Sequence, residues 1–263
     1  MPCHPCRSDL HAQSAILVIT GASSGIGAAL AAAYAAPGVH LALVGRDGRR
    51  LAETAATCRQ AGAEVADATI DVCDRSAMET WLTERDLGHP IELAVANAGI
   101  SAGTAAGWER PEQTQAIFAV NLEGALNTVL PLLPRMLARG RGQIALMSSL
   151  ASFRGFPGAP AYCASKAAVR IWGESLRPEL KPSGVTVSVI CPGFVESRMT
   201  AHNDFHMPLL MPSASAARVI RRGLERGQAR IAFPWPMYAA AWLIAALPPG
   251  LTDALLGRLP RKS

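Results

Sequence analysis

The chain is short of charge, of aromatic rings and of lysine. Charged residues are 17% of its 263 positions and aromatic residues 5%; an average soluble domain is about 25% charged. Lysine occurs only at Lys166, Lys181 and Lys262. Hydrophobic residues still make up 50% of the chain, and alanine alone fills 48 positions. The apolar content is therefore carried by small side chains. That excludes intrinsic disorder and a collagen-like repeat. Cysteine is sparse as well, with six in all, and only Cys3 and Cys6 lie close together. A lone C-x-x-C without a second ligand pair is a weak zinc or redox signal. It sits in an N-terminal arm, residues 1–14, that reads as disordered. The other cysteines have no framework spacing, which excludes a disulfide scaffold and suits a reducing compartment. The histidines, His11 and His40 among them, show no metal-ligand spacing, so no metal is expected. Basic residues are not interleaved with a nucleic-acid reader motif, so no nucleic-acid partner is expected. Arg7 and the run Ala15–Ile19 imitate an export signal, but the polar stretch Ser8–Ser14 separates them and the run is too short. A cytoplasmic location is expected.

What is present is an alternation. At about 150 residues per domain, this length allows one large layered domain or two small ones. Ala15–Thr20 is a branched, continuous apolar run, as in a strand covered on both faces. Further strands are predicted at Val39–Val44, Val65–Ile70, Ile91–Ala96, Gly142–Met147 and Val185–Ile190, with a short seventh at Arg230–Phe233. Helical segments lie between them: Ala28–Ala36, Asp47–Ala61, Arg75–Leu87, Glu112–Leu137, Ala161–Leu180 and Ser213–Gly227. Pro131 and Pro134 are expected to bend the fourth of these. Such βαβ units imply a doubly wound, mostly parallel α/β sheet, Rossmann-like, with helices on both faces. The catalytic domain is expected over residues 15–233, with a C-terminal appendix at 234–263.

The first strand runs into Thr20-Gly21-Ala22-Ser23-Ser24-Gly25-Ile26-Gly27. Glycine permits positive φ and close backbone approach to a pyrophosphate. A helix N-terminus behind it adds free N–H groups and a positive dipole end. In a dinucleotide fold an acid usually ends strand two and binds the ribose. Here the strand end reads Val44-Gly45-Arg46-Asp47. Arg46 can pair with a 2′-phosphate, which favours NADP. Asp47 bonding the ribose is the rival, and would mean NAD.

Tyr162 and Lys166 are four apart on a helix and share a face. Chance supplies such a pair roughly 0.03 times in a chain of this composition. Ser149 lies upstream at the end of strand five, where an open sheet keeps its crevice. With these residues in place the sequence resembles the short-chain dehydrogenase/reductase family over about Ile16–Gly193. The likeness rests on Thr20–Gly27, Asp71-Val72, Asn97-Ala98-Gly99, Asn121, Ser149, Tyr162–Lys166 and Pro192-Gly193.

The resemblance implies a set of roles. Tyr162 is the general acid/base for a carbonyl or alcohol. Lys166 lowers its pKa and bonds the nicotinamide ribose. Ser149 holds the substrate oxygen, with Ser148 the less favoured neighbour. Asn121 holds a water that links Lys166 to solvent. Asp71 and Val72 bind adenine, and Asn97, Ala98 and Gly99 support the sheet beside the cofactor. Val195 and Ser197 complete the cofactor site, with serine where relatives usually carry threonine. Ala96 stands where asparagine is common. Family members are usually dimers or tetramers, here built on Glu112–Leu137 and Ala161–Leu180.

The segment Phe194–Met211 is where the family places its lid. Its Phe205, Met207, Leu209, Leu210 and Met211 suit an apolar or bulky substrate, or a lid that packs on the core. No charge occurs from Ile231 to Thr252. Four prolines cut that run, so it meets a membrane surface, a partner subunit or the cleft rather than spanning a bilayer. Residues 218–263 carry the net positive charge. The leading expectation is an NADP(H)-dependent oxidoreductase with NAD(H) as alternative cofactor. A catalytically silent nucleotide-binding scaffold and a membrane-peripheral reductase of lipid-borne substrates are the competing ones.

Overall fold

The computed structural model describes residues 15–104, 107–201, 203 and 205–256, with the side chains of 254 and 255 left aside. The N-terminal arm with Cys3 and Cys6 lies outside the described residues, as do Arg258, Arg261 and Lys262 and two positions of the lid.

Seven strands form one sheet: β1 Ile16–Thr20, β2 His40–Gly45, β3 Glu64–Thr69, β4 Ile91–Ala96, β5 Gly142–Met147, β6 Val185–Pro192 and β7 Arg230–Phe233. Their order is β3-β2-β1-β4-β5-β6-β7 and every pairing is parallel. The order reverses between β1 and β4, and a crevice opens there at the carboxyl ends of the strands. Along β1, Leu17 and Ile19 pack into one core, and Ile16 and Val18 into the other. The period-two alternation of an all-apolar strand thus feeds both faces.

The helices are α1 Gly25–Tyr34, α2 Gly48–Gln60, α3 Arg75–Gly88, α4 Pro111–Phe118, α5 Gly124–Val129, α6 Leu133–Arg139, α7 Pro160–Leu180, α8 Arg198–Ala201, α9 Ser213–Glu225, α10 Trp235–Ala246 and α11 Pro249–Leu256. Leu30 of α1, Leu51 of α2 and Ile220 of α9 cover one face of the sheet. Met78 and Leu82 of α3, Val129 of α5 and Val169 of α7 cover the other.

Most boundaries move by a residue or two from the sequence reading, and three departures are larger or bear on the site. α1 begins at Gly25, inside the glycine string, rather than at Ala28. β6 runs on through Cys191 and Pro192, because β7 pairs Cys191 with Ala232 and Pro192 with Phe233. The segment expected as one long helix is broken twice. A π turn, Ala119–Glu123, joins α4 to α5, and α5 and α6 are separated around Pro131, where proline cannot donate to the helix.

One buried acid holds α3 to its neighbours. Asp86 accepts from Arg139 Nη1 at 2.9 and 3.0 Å and from the Ile91 N–H at 2.9 Å.

Candidate active site

The glycine string makes a turn packed too tightly for side chains at two of its positions. Gly21 has φ +66°, and a Cβ there would lie 2.8 Å from Ala98 Cα. A Cβ on Gly27 would lie 2.3 Å from the Gly21 carbonyl oxygen. Ser24 is the N-cap of α1 but makes no side-chain capping bond. The first-turn N–H groups of that helix are thereby left for an anion.

Thr20 and Asn97 lock the cradle to β4. The Thr20 hydroxyl accepts from the Asn97 N–H at 3.1 Å and the Ala98 N–H at 3.3 Å. Asn97 Nδ2 donates to the Thr20 carbonyl at 2.8 Å. Thr20 is fully buried and Gly27 lies behind the turn, so neither forms the cleft wall.

A cleft of about 640 Å³ runs across the switch point. Its wall includes Gly21, Ser23, Ser24, Gly25, Ile26, Arg46, Val72, Asn97, Ala98, Gly99, Ser149, Tyr162, Lys166, Pro192, Gly193, Val195 and Ser197. Asn121 is buried behind the wall, and Asp71 is exposed beside it, between the lining residues Ile70 and Val72.

At one end, Arg46 Nη1 lies 3.6 Å from Asp71 Oδ2. Burial alone would raise the Asp71 pKa; the Cys73 N–H and thiol and the Arg46 guanidinium outweigh it and hold the carboxyl below its usual range. Asp47 caps α2 by accepting from the Arg50 N–H at 3.0 Å, and its other oxygen pairs with Arg50 Nη2 at 2.9 Å.

At the other end, α7 carries Tyr162 and Lys166 into the cleft opposite the end of β5. Lys166 Nζ donates to the Met147 carbonyl at 2.8 Å and lies 6.0 Å from the Tyr162 ring centre. Ser149 hydrogen-bonds Tyr162 through its side chain. Ser148 is buried and donates to the Lys166 carbonyl at 2.8 Å. Ser149 thus meets the phenol and Ser148 braces the helix. Burial pushes the Tyr162 phenol up, with the Ser149 bond acting against it and Cys163 adding to it. Burial also lowers Lys166 to about 8, with the neighbouring Cys191 opposing.

Asn121 lies in the π turn. Its side chain spans from Ile100, which it bonds on both sides of the peptide, to Ser165 Oγ at 3.0 Å. It therefore ties the loop after β4 to α7 directly behind Lys166. Glu109 does similar work from farther away. Its Oε2 accepts from the Ala161 N–H at 2.9 Å, at the first turn of α7.

Residues 15–207 match the family model described as short chain dehydrogenase. The chain belongs to the short-chain dehydrogenase family. An uncharacterized oxidoreductase of Myxococcus xanthus is 38% identical over 243 residues, covering 92% of this chain and 96% of its own. A short-chain dehydrogenase from Sphingobium yanoikuyae, solved in complex with NADPH, superposes with a TM-score of 0.78 at 27% identity over 94% of this chain and 96% of that one. A short chain dehydrogenase/reductase from Burkholderia phymatum, solved in complex with NAD, gives 0.81 at 25% identity over 95% and 97%. The chain is an oxidoreductase of this family.

A dinucleotide fits the residues present. A Cβ on Gly25 would lie 3.0 Å from Ser197 Cβ, between two residues of the cleft wall, and three arginines line the cleft, Arg46, Arg50 and Arg198. The last two were not singled out from the sequence. Arg50 sits in the first turn of α2, four residues past Arg46, and the nearness in sequence was a usable signal. Arg198 sits in α8, which tertiary packing brings to the cleft. The segment Phe194–Met211 has its two ends tied together. Val195 bridges Met211, and the Met211 N–H donates to the Phe194 carbonyl at 3.0 Å.

Proposed function

We propose that the chain is an NADP(H)-dependent oxidoreductase that interconverts a carbonyl and an alcohol on an apolar or bulky substrate. The observation that carries the reading is the meeting of Ser149, Tyr162 and Lys166 at one end of a cleft whose other end presents Arg46. The nicotinamide supplies or accepts the hydride. Tyr162 gives a proton to the substrate oxygen in reduction and takes it back in oxidation. Ser149 holds that oxygen. Lys166, when charged, favours the phenolate and bonds the ribose. Asn121 keeps the loop after β4 in register with α7, and a water beside it links Lys166 to solvent. Asp71 and Val72 border the adenine.

The preference for NADP is supported by the end of β2. The last strand residue is Gly45, and a Cβ there would lie 3.1 Å from Ser23 Cβ. No carboxylate stands at that position, and Asp47 is engaged by α2 and Arg50. Arg46, half-exposed beside Asp71, can meet a 2′-phosphate. The lid residues Phe194 and Phe205, with ring centres 6.0 Å apart, support an apolar substrate. Leu130, Leu137 and Ile171 are exposed on α5–α7, and we place the subunit contact of a dimer or tetramer there. Free thiols at Cys58, Cys73, Cys163 and Cys191 support a cytoplasmic setting.

The test is NADPH consumption against aldehydes, ketones, sterols and acyl carbonyls, repeated with NADH. Turnover with NADPH in preference to NADH supports the reading. Tight NADPH binding without turnover of any carbonyl class contradicts it.

A further inference from the structure

The C-terminal helices α10 and α11 carry apolar side chains that the fold does not use. In α10 only Ala241 is fully buried. Trp235 is 70% exposed, Trp242 57%, Leu243 59% and, on α11, Leu251 73%. Large apolar patches on a soluble surface mark an interaction site. The inward side of α10 is engaged over its first turns. Met237 and Tyr238 pack with Leu150, Val189 and Cys191, and Tyr238 accepts from Arg230 at 3.1 Å.

Charge points to the occupant. From Arg226 to Ser263 the sequence has one acid, Asp253. That carboxylate is paired with Arg154 at 3.3 Å. Beyond α11 the sequence continues with Arg258, Arg261 and Lys262 and no acid. Exposed tryptophans beside leucines, followed by cations, match an anionic lipid interface. The 12 residues of α10 span about 18 Å, short of a hydrocarbon core of about 30 Å. Pro248 and Pro249 then turn the chain into α11. The pair is shaped to lie in an interface rather than to cross one.

We propose that the exposed face of α10–α11 docks on an anionic lipid surface. The position of α10 gives this a consequence for the cleft. A Cβ on Gly193 would lie 3.1 Å from Pro234 Cδ and 3.2 Å from Met237 Sδ. The start of α10 is thus built against the cleft wall, and a docked face sets the cleft beside the lipid. The inference concerns binding and stands apart from the catalytic reading.

The experiment is co-sedimentation of the full chain with phosphatidylcholine vesicles, with and without phosphatidylserine, at low and high salt. The comparison variant is Trp242→Ser with Leu243→Ser, both exposed, with its fold checked by circular dichroism. The oligomeric state of both proteins is measured without vesicles. Docking predicts binding to the phosphatidylserine vesicles that weakens with salt and falls by about tenfold or more in the variant. Equal partitioning of the two proteins, or none by either, overturns it. So does an oligomer that the variant dissolves while vesicle binding is absent, which would assign the face to a second copy.

Discussion

The side chain of Asn121 and the backbone of Ile100 grip each other in both directions. Asn121 Oδ1 accepts from the Ile100 N–H at 2.7 Å, and Asn121 Nδ2 donates to the Ile100 carbonyl at 3.0 Å. The π turn makes this possible, since one extra residue per turn swings Asn121 inward toward the loop after β4. Asn121→Ala would leave both backbone groups without their partner. The expected loss is about 2–4 kcal/mol of stability, read by urea unfolding. A loss under about 0.5 kcal/mol would mean that the clamp is idle.

The cleft lysine should leave a mark on stability. Burial holds Lys166 near 8, below its ordinary 10.5. Between those values the unfolded chain keeps a proton that the folded chain has released. Stability therefore rises with pH through that window, and below it the penalty for a buried cation is complete. Comparing the wild type with Lys166→Met in unfolding experiments without cofactor isolates this effect. The difference should move toward the wild type by about 1–3 kcal/mol as pH rises from 8 to 10. A difference independent of pH would contradict it.

Cofactor choice is assigned to Arg46. Arg46→Ala should raise the KM for NADPH by about tenfold to a hundredfold, the worth of a charged hydrogen bond. The KM for NADH should stay within about twofold. Parallel loss with both cofactors would show that Arg46 supports the loop instead of reading the phosphate.

Asp86 offers a stability effect remote from chemistry. Removing it leaves the Ile91 N–H unpaired and takes the carboxylate from Arg139, which keeps only the Ile91 carbonyl as acceptor, in a buried corner between α3, α6 and β4. Asp86→Ala should cost about 3 kcal/mol or more in denaturant unfolding, with kcat unchanged. An unaltered midpoint would refute this assignment.

Much of this architecture was legible because parallel strands are apolar on both faces and helices are not. Ile91–Ala96, Gly142–Met147 and Arg230–Phe233 are strands over the residues read from sequence. The Tyr162–Lys166 spacing and the place of Ser149 needed only helical periodicity and a strand end. The π turn left no trace, because one inserted residue does not disturb an apolar pattern enough to be read. Asp86 and Glu109 were invisible for another reason. Each acts on a residue distant in sequence, and a lone charge between apolar runs looks like a solvated one. The extension of β6 through Pro192 also came from a partner strand. Cys-Pro-Gly looks locally like a turn, and β7 overrides it.

The central claim is that Tyr162 performs the proton transfer in an NADPH-dependent carbonyl reduction. The most direct measurement pairs NADPH binding, followed by fluorescence, with NADPH oxidation, followed by absorbance, in wild type and Tyr162→Phe. The account predicts near-equal NADPH affinity and a loss of turnover of about a hundredfold or more in the variant, the scale of a missing general acid. Undiminished turnover by Tyr162→Phe would contradict it.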